Sequence, residues 1–135
     1  MRAYFFAALV LVAGLSFAFT TPQTATAPPR WEKLGERLVN YGVDRDEIIV
    51  TAREGSFNAI KLMVRRSGIN MHRCIIHFGN GGTQEVEIRN DIPKGGETRI
   101  IDINGGQRVI QKVVFWYDTR NVANDRALVE LWGRH

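Results

Sequence analysis

The sequence is poor in cysteine and lacks long apolar runs and helical patterns. Its 135 residues include one cysteine, Cys74, so a disulfide scaffold is excluded. The length suits a single domain and excludes a multidomain enzyme. Hydrophobic residues make up 44% and charged residues 24%, which excludes a chain that is disordered throughout. No segment carries the apolar stripe of an amphipathic helix, so β-structure is expected.

The first residues have the pattern of a signal peptide. Arg2 supplies a positive start, an apolar stretch follows, and Ser16 and Ala18 are the small residues that favour cleavage after Ala18. The alternative is an uncleaved anchor, but the apolar run 4–19 is shorter than the roughly 20 residues of a spanning helix. We therefore predict a periplasmic or secreted protein with no membrane insertion after the signal is removed.

A compositional change marks the predicted start of the fold. Residues 19–30 are rich in threonine, alanine and proline, which predicts a disordered leader between a signal peptide at 1–18 and a domain at 31–135. In an oxidising compartment Cys74 has no partner within the chain, so we expect it to be buried and inert.

The net charge of +4 is spread over basic residues that are interspersed with acidic ones. A nucleic-acid-binding protein usually concentrates its basic residues in one stripe, so no nucleic-acid partner is predicted. The positive balance is compatible with weak attraction to anionic polymers of the cell envelope.

From Trp31 onward, apolar and polar residues alternate with a period close to two, as in half-buried antiparallel strands. Glycine-rich and proline-containing turns separate these runs at short intervals. The pattern predicts an all-β fold, namely an antiparallel β-sandwich of jelly-roll type with about eight strands. The predicted strands are 33–40, 47–52, 57–66, 69–78, 84–90, 98–103, 107–118 and 126–133.

Two of these strands, 69–78 and 84–90, are expected to form a hairpin around the loop 79–83. Strand 107–118 is apolar at consecutive positions, so either both of its faces are covered or the strand bulges, and we predict that it is a central strand. For the hairpin, the best apolar matching predicts the pairs Phe78–Gln84, Ile76–Val86 and Cys74–Ile88 on the inner face and His77–Glu85 and Ile75–Glu87 on the outer face, with Arg73 diagonal to Glu87.

Potential metal ligands are few. His72 and Cys74 form a His-x-Cys pair on one predicted strand face, but a zinc site needs three or four ligands and no second pair exists. Asp44 and Asp46 lie in an acidic loop, 40–47, that lacks the spacing of a calcium-binding loop. No metal and no cofactor are therefore predicted.

Catalytic patterns are equally weak. No serine lies in a Gly-x-Ser-x-Gly turn. Paired carboxylates for glycoside hydrolysis could come from Glu85, Glu87 or Asp118, and His77 with Glu85 could form a base and its orienting group. Alternating glutamates on a solvent-facing strand are commonplace, so we predict that the protein is not an enzyme and keep a small hydrolase as an alternative.

The aromatic residues divide into two groups. Trp116 and Trp132 fall on long apolar strands, which favours a place in the core over a sugar-stacking platform. Trp31 and Tyr41 lie at strand ends, where a ring is freer to contact a ligand.

These observations favour an exported, non-catalytic binding module whose partner is an envelope glycan or another protein. The alternative is a structural or stress-related envelope protein without a small ligand, which would associate through its long edge strands. The sequence makes no prediction of the oligomeric state. The candidate ligand-binding residues are Arg73, His77, Glu85 and Glu87 on one strand face and Asp44 and Asp46 in the acidic loop.

Strand and turn patterns in the C-terminal half resemble a family of small exported bacterial proteins of unknown function, typified by an enterobacterial periplasmic protein. The resemblance implies the compartment and the β architecture, and no activity. The typical member has a cysteine pair, whereas this chain has Cys74 alone, so no disulfide is implied. The similar segments are 92–98, 101–104, 112–115, 118–119 and 127–133 within a region of similarity at 60–135, together with an opening strand at 31–37.

Overall fold

A computed structural model describes residues 30–39, 43–119 and 125–135. The predicted signal peptide and all of the leader except Arg30 lie outside these residues, as does Tyr41. Within the described ranges, the protein has no apolar helix of the length that a membrane crossing requires. The strands are β1 (Trp31–Leu38), β2 (Val43–Ile49), β3 (Ser56–Phe57), β4 (Ala59–Arg65), β5 (Ile69–Phe78), β6 (Thr83–Ile92), β7 (Ile101–Asp102), β8 (Arg108–Asp118) and β9 (Leu128–Arg134), and a single 3-10 turn spans Ala52–Glu54.

The strands form two antiparallel sheets. One has the order β1-β9-β4-β7, and the other has the order β2-β8-β5-β6 with the short β3 also paired to β8. Apart from β3, the strands pair in a nested order: β1 with β9, β2 with β8, β4 with β7 and β5 with β6. A long hairpin that has been rolled up has this arrangement. This order is that of a jelly roll and confirms the predicted sandwich.

The core lies between the sheets, where alternate residues of each strand face inward. Its largest fully buried side chains include Phe57, Phe78, Phe115 and Tyr117. As predicted, β8 is a central strand, since β2 and β5 flank it and even the outward-facing Val114 is only 1% exposed.

The predicted register of the β5–β6 hairpin is wrong by two residues. The structure pairs Cys74 with Val86 and Ile76 with Gln84, because the pairing of the hairpin begins at His77 and Thr83 and not at Phe78 and Gln84. A shift of two residues keeps every side chain on its predicted face. It does change the neighbours, so that Arg73 lies directly opposite Glu87 and His77 lies opposite Thr83.

A bulge in the same hairpin separates the proposed metal pair. The register shifts between Met71 and Arg73, and on β6 Arg89 takes a positive φ of 43°. His72 is half-exposed and Cys74 is fully buried, so they do not share a face as predicted. Burial raises the pKa of Cys74 to about 12, against a smaller opposing effect of the Arg99 charge, and the thiol is therefore unreactive.

Candidate functional site

The outer face of the five-stranded sheet collects four of the six candidate residues. Strand alternation places Arg73, His77, Glu85 and Glu87 on this side, as predicted. We call this surface the Trp116 face. Its outward side chains on β2, β8, β5 and β6 include Arg45, Glu47, Lys112, Val114, Trp116, Arg73, Ile75, His77, Glu85 and Glu87.

The centre of the Trp116 face is a tryptophan between two arginines. Across the three strands β2, β8 and β5, Arg45 pairs with Trp116 and Trp116 pairs with Arg73. The guanidinium carbon of Arg73 lies 3.9 Å from the centre of the Trp116 ring, and that of Arg45 lies 5.7 Å away. Both distances are within the range of cation–π attraction, so the three planar groups form one ordered patch.

Carboxylates border this patch. Arg73 Nη1 lies 3.4 Å from Glu85 Oε1, and Arg45 Nη2 lies 3.8 Å from Glu47 Oε2. Glu87 accepts a bond of 2.7 Å from Arg89 on its own strand. Exposed ion pairs of this kind are typically worth less than about 1 kcal/mol, so they can be exchanged for contacts to a ligand at little cost.

His77 and Glu85 do not form the pair that a hydrolase would need. The register places His77 between Lys112 and Thr83, and Glu85 lies opposite Ile75, which leaves Glu85 to bind Arg73. The described residues also contain no group of three or more His, Cys, Asp or Glu that is placed to hold a metal ion.

Asp44 and Asp46 are not in a loop, because β2 begins at Val43. Asp46 faces inward and is only 7% exposed; its carboxylate accepts hydrogen bonds from Tyr117 Oη at 2.7 Å and from Arg37 Nε at 3.1 Å. Asp44 accepts a bond of 2.7 Å from the backbone N–H of Arg45. The two aspartates are therefore separate from the Trp116 face, and the geometry gives Asp46 a structural role.

The prediction that Trp116 and Trp132 belong to the core is wrong. Both are half-buried on the outer face of their sheets. The apolar run 113–117 contains no polar residue that would show which side is inside, so the sequence pattern could not orient Trp116. The sequence feature that marks Trp116 as outward-facing is an arginine at the position paired with it on each neighbouring strand. This feature can be recognised only once the register is known.

A second cluster of titratable groups ties the end of β9 to β1. His135 Nε2 binds the carboxylate of Glu32, and its Nδ1 lies 3.2 Å from the carbonyl oxygen of Ser56. The hydrogen bond to His135 lowers the pKa of Glu32. The carboxyl of Glu54 lies against that of Glu32, and this contact raises the pKa of Glu54.

Replacing Glu54 with glutamine is expected to raise the Tm at pH 7 by about 1–2 °C, because a repulsion between two exposed carboxylates is lost. The pKa of Glu54 in the folded protein lies above 4.5, so the wild type gains stability from this group as the pH falls toward 4.5. The lowered pKa of Glu32 acts in the opposite direction, since its contribution is lost as the pH falls below 4.5.

The advantage of Glu54→Gln should therefore shrink between pH 7 and pH 5, which thermal unfolding at the two values would measure. Glu36→Gln is the control, because it removes an ion-pair partner of Lys33 and should not raise the Tm at pH 7. A lower Tm of Glu54→Gln at pH 7 would contradict the repulsion.

Comparison with known proteins gives a family and no activity. No curated protein matches the sequence. A solved structure described as "Structural and functional characterization of Pseudomonas aeruginosa AlgX" is similar with a TM-score of 0.49 and 8% identity. The similarity covers 76% of this chain and 26% of that chain, so the chain spans about a quarter of that protein's length. The expected relation to an enterobacterial periplasmic protein stays a prediction. The profile of a family described as "Domain of unknown function (DUF2541)" matches residues 6–133, and the chain therefore belongs to the DUF2541 family.

Proposed function

We propose that the protein is an exported, non-catalytic binding module that recognises an anionic glycan of the cell envelope on the Trp116 face. The observation that carries this proposal is the row in which Trp116 stands between Arg45 and Arg73 on an open sheet surface. Binding a glycan in this way requires no catalytic residues.

The chemistry of the row suits an acidic sugar. An arginine side chain presents a planar fork of donors that binds a carboxylate through two parallel hydrogen bonds. An indole ring supplies a rigid apolar surface for the carbon face of a sugar, at a low cost in side-chain entropy. Arg73 and Arg45 are 36% and 53% exposed, so both can reach a ligand.

The bordering carboxylates tune this site. Glu85 and Glu47 form ion pairs with Arg73 and Arg45, so they would compete with an anionic ligand for these two arginines. An anionic ligand must displace them, whereas a cationic ligand would bind to them. Removing the charge of Glu85 therefore distinguishes the two kinds of ligand.

Trp116→Ala is expected to weaken binding of polygalacturonate, a carboxylated polysaccharide, at least 10-fold at the site on the Trp116 face, which corresponds to about 1.4 kcal/mol. Glu85→Gln should strengthen it by about 3-fold, because Arg73 is released, and added salt should weaken both wild type and variant. Titration calorimetry with polygalacturonate and with uncharged dextran would measure these changes. Arg73→Ala has a matched control in Arg53→Ala, because Arg53 lies in the 3-10 turn and not on a strand of this face.

Three results would overturn the proposal. One is equal binding of dextran and polygalacturonate, and another is weaker binding by Glu85→Gln than by the wild type. The third is the absence of any glycan binding; a protein captured through the same face would then support the protein-partner alternative, and concentration-dependent self-association would support the structural one.

A further inference from the structure

The outer face of the other sheet repeats the arrangement of the Trp116 face. On the strands β1, β9 and β4, Lys33 pairs with Trp132 and Trp132 pairs with Lys61. A half-buried tryptophan on the central strand thus again has a basic residue at the paired position of each neighbouring strand. We call this surface the Trp132 face. Its outward residues include Trp31, Lys33, Glu36, Lys61, Met63, Arg65, Glu97, Glu130 and Trp132.

The similarity extends to the next row of paired residues. On the Trp116 face that row is Glu47, Val114, Ile75 and Glu85, with a carboxylate at each end. On the Trp132 face the corresponding row is Glu36, Glu130, Met63 and Glu97, and it also has a carboxylate at each end.

The rolled-up hairpin explains why the two faces correspond. It places β8 and β9 at equivalent positions, one in each sheet, with β2 and β1 on one side and β5 and β4 on the other. The two central strands also have similar sequences around the tryptophan, with a valine three residues before it and a large apolar residue directly before it. The equivalent segments are Val113-Val114-Phe115-Trp116 and Val129-Glu130-Leu131-Trp132.

Contacts on the Trp132 face hold its groups in place. Trp132 Nε1 donates a hydrogen bond of 3.0 Å to Glu130, and Lys33 Nζ lies 3.3 Å from the same carboxylate. Lys61 Nζ lies 3.4 Å from Glu97 and 4.6 Å from the centre of the Trp31 ring. A second indole ring therefore adjoins the row, and Glu97, which is 45% exposed, takes the place that Glu85 has on the other face.

We infer that the Trp132 face is a second binding site for the same class of anionic glycan, so that one domain links two polysaccharide chains. The inference rests on the proposed function. The two faces point away from each other on opposite sides of two sheets that pack about 10 Å apart, so a short oligosaccharide cannot contact both. A domain with two such sites bridges separate chains or distant parts of a long one.

Two measurements test the bridging. With a short galacturonate oligomer, calorimetry should give two sites per wild-type domain and one site for Trp116→Ala or Trp132→Ala. When protein is added to long polygalacturonate, light scattering should rise to a maximum and then fall. It falls because excess protein fills the binding positions on each chain, so that few domains still link two chains. Either single variant should abolish this maximum while binding of the short oligomer persists.

Failure of the inference is distinguishable from failure of the proposed function. One site in the wild type, lost in Trp116→Ala and unaffected by Trp132→Ala, would overturn the second site and leave the first. One site lost only in Trp132→Ala would overturn the placement on the Trp116 face. An absence of oligomer binding in the wild type would overturn both.

Because Trp132 also binds Glu130, a variant at this position could lose stability. The double variant Lys33→Gln/Lys61→Gln keeps the ring and removes both flanking cations, so it should give the same single site and the same loss of scattering. Retention of two sites in this folded variant would overturn the role given to the lysines and with it the placement of the second site on the Trp132 face. The control Arg53→Ala should keep both sites.

Discussion

Replacing Asp46 with alanine is expected to lower the free energy of unfolding by about 2–4 kcal/mol. The carboxylate is only 7% exposed and accepts hydrogen bonds from Tyr117 Oη and Arg37 Nε. Alanine would remove the acceptor of both bonds, and the loss of a hydrogen-bond partner at a buried site costs about 1–3 kcal/mol. For a domain of about 100 residues, the Tm should fall by roughly 10 °C or more.

Asp44→Ala on the same strand is the matched control, and it should cost less because Asp44 is less buried than Asp46. The variant Asp46→Asn keeps an acceptor and should fall between wild type and alanine. In a double-mutant cycle, Asp46→Ala with Tyr117→Phe should cost less than the sum of the single variants. Chemical unfolding measures all of these, and equal stabilities of Asp44→Ala and Asp46→Ala would refute the structural role of Asp46.

Replacing Gly133 with alanine is expected to cost about 2–3 kcal/mol through overpacking. A Cβ atom at this position would lie 2.7 Å from Phe57 Cδ1 and 2.9 Å from Leu34 Cδ1. Phe57 is fully buried in the core, so its ring can move away only by displacing other core side chains. The glycine is therefore required by the close approach of β9 to the core.

Gly82→Ala is the comparison, since a Cβ there would meet the ends of the Arg108 and Asn80 side chains, which can move aside. Its stability should be close to that of the wild type. Thermal and denaturant unfolding of the two variants would separate the effects. If Gly133→Ala were as stable as Gly82→Ala, the packing of Phe57 against β9 would have to be looser than described.

The sequence pattern was most informative where apolar and polar residues alternate. On β5 and β6 the alternation assigned Arg73, His77, Glu85 and Glu87 to one side of the sheet, and the structure agrees although the predicted register was wrong by two residues. A two-residue error preserves the faces and changes the partners. The prediction therefore identified the candidate surface and missed the contact of Arg73 with Glu85 and Trp116.

The pattern was uninformative where neighbouring residues have the same character. In the run 113–117 every side chain is apolar, and in Asp44–Glu47 every side chain is charged, so neither segment shows which side faces the core. The pattern consequently predicts Trp116 in the core and Asp46 in a surface loop. The structure reverses both assignments, because the partner strands determine which side of β2 and β8 is covered.

The strand content, the positions of most turns and the sandwich class can be predicted from the sequence, because they depend on local side-chain alternation and on residues that favour turns. The residues that face each other across strands are set by the tertiary structure. The row of Trp116 with its two arginines and the row of Trp132 with its two lysines each join three strands that are distant in sequence. Such a row exists only after the hairpin has rolled up, since the register that creates it is set by packing between the two sheets.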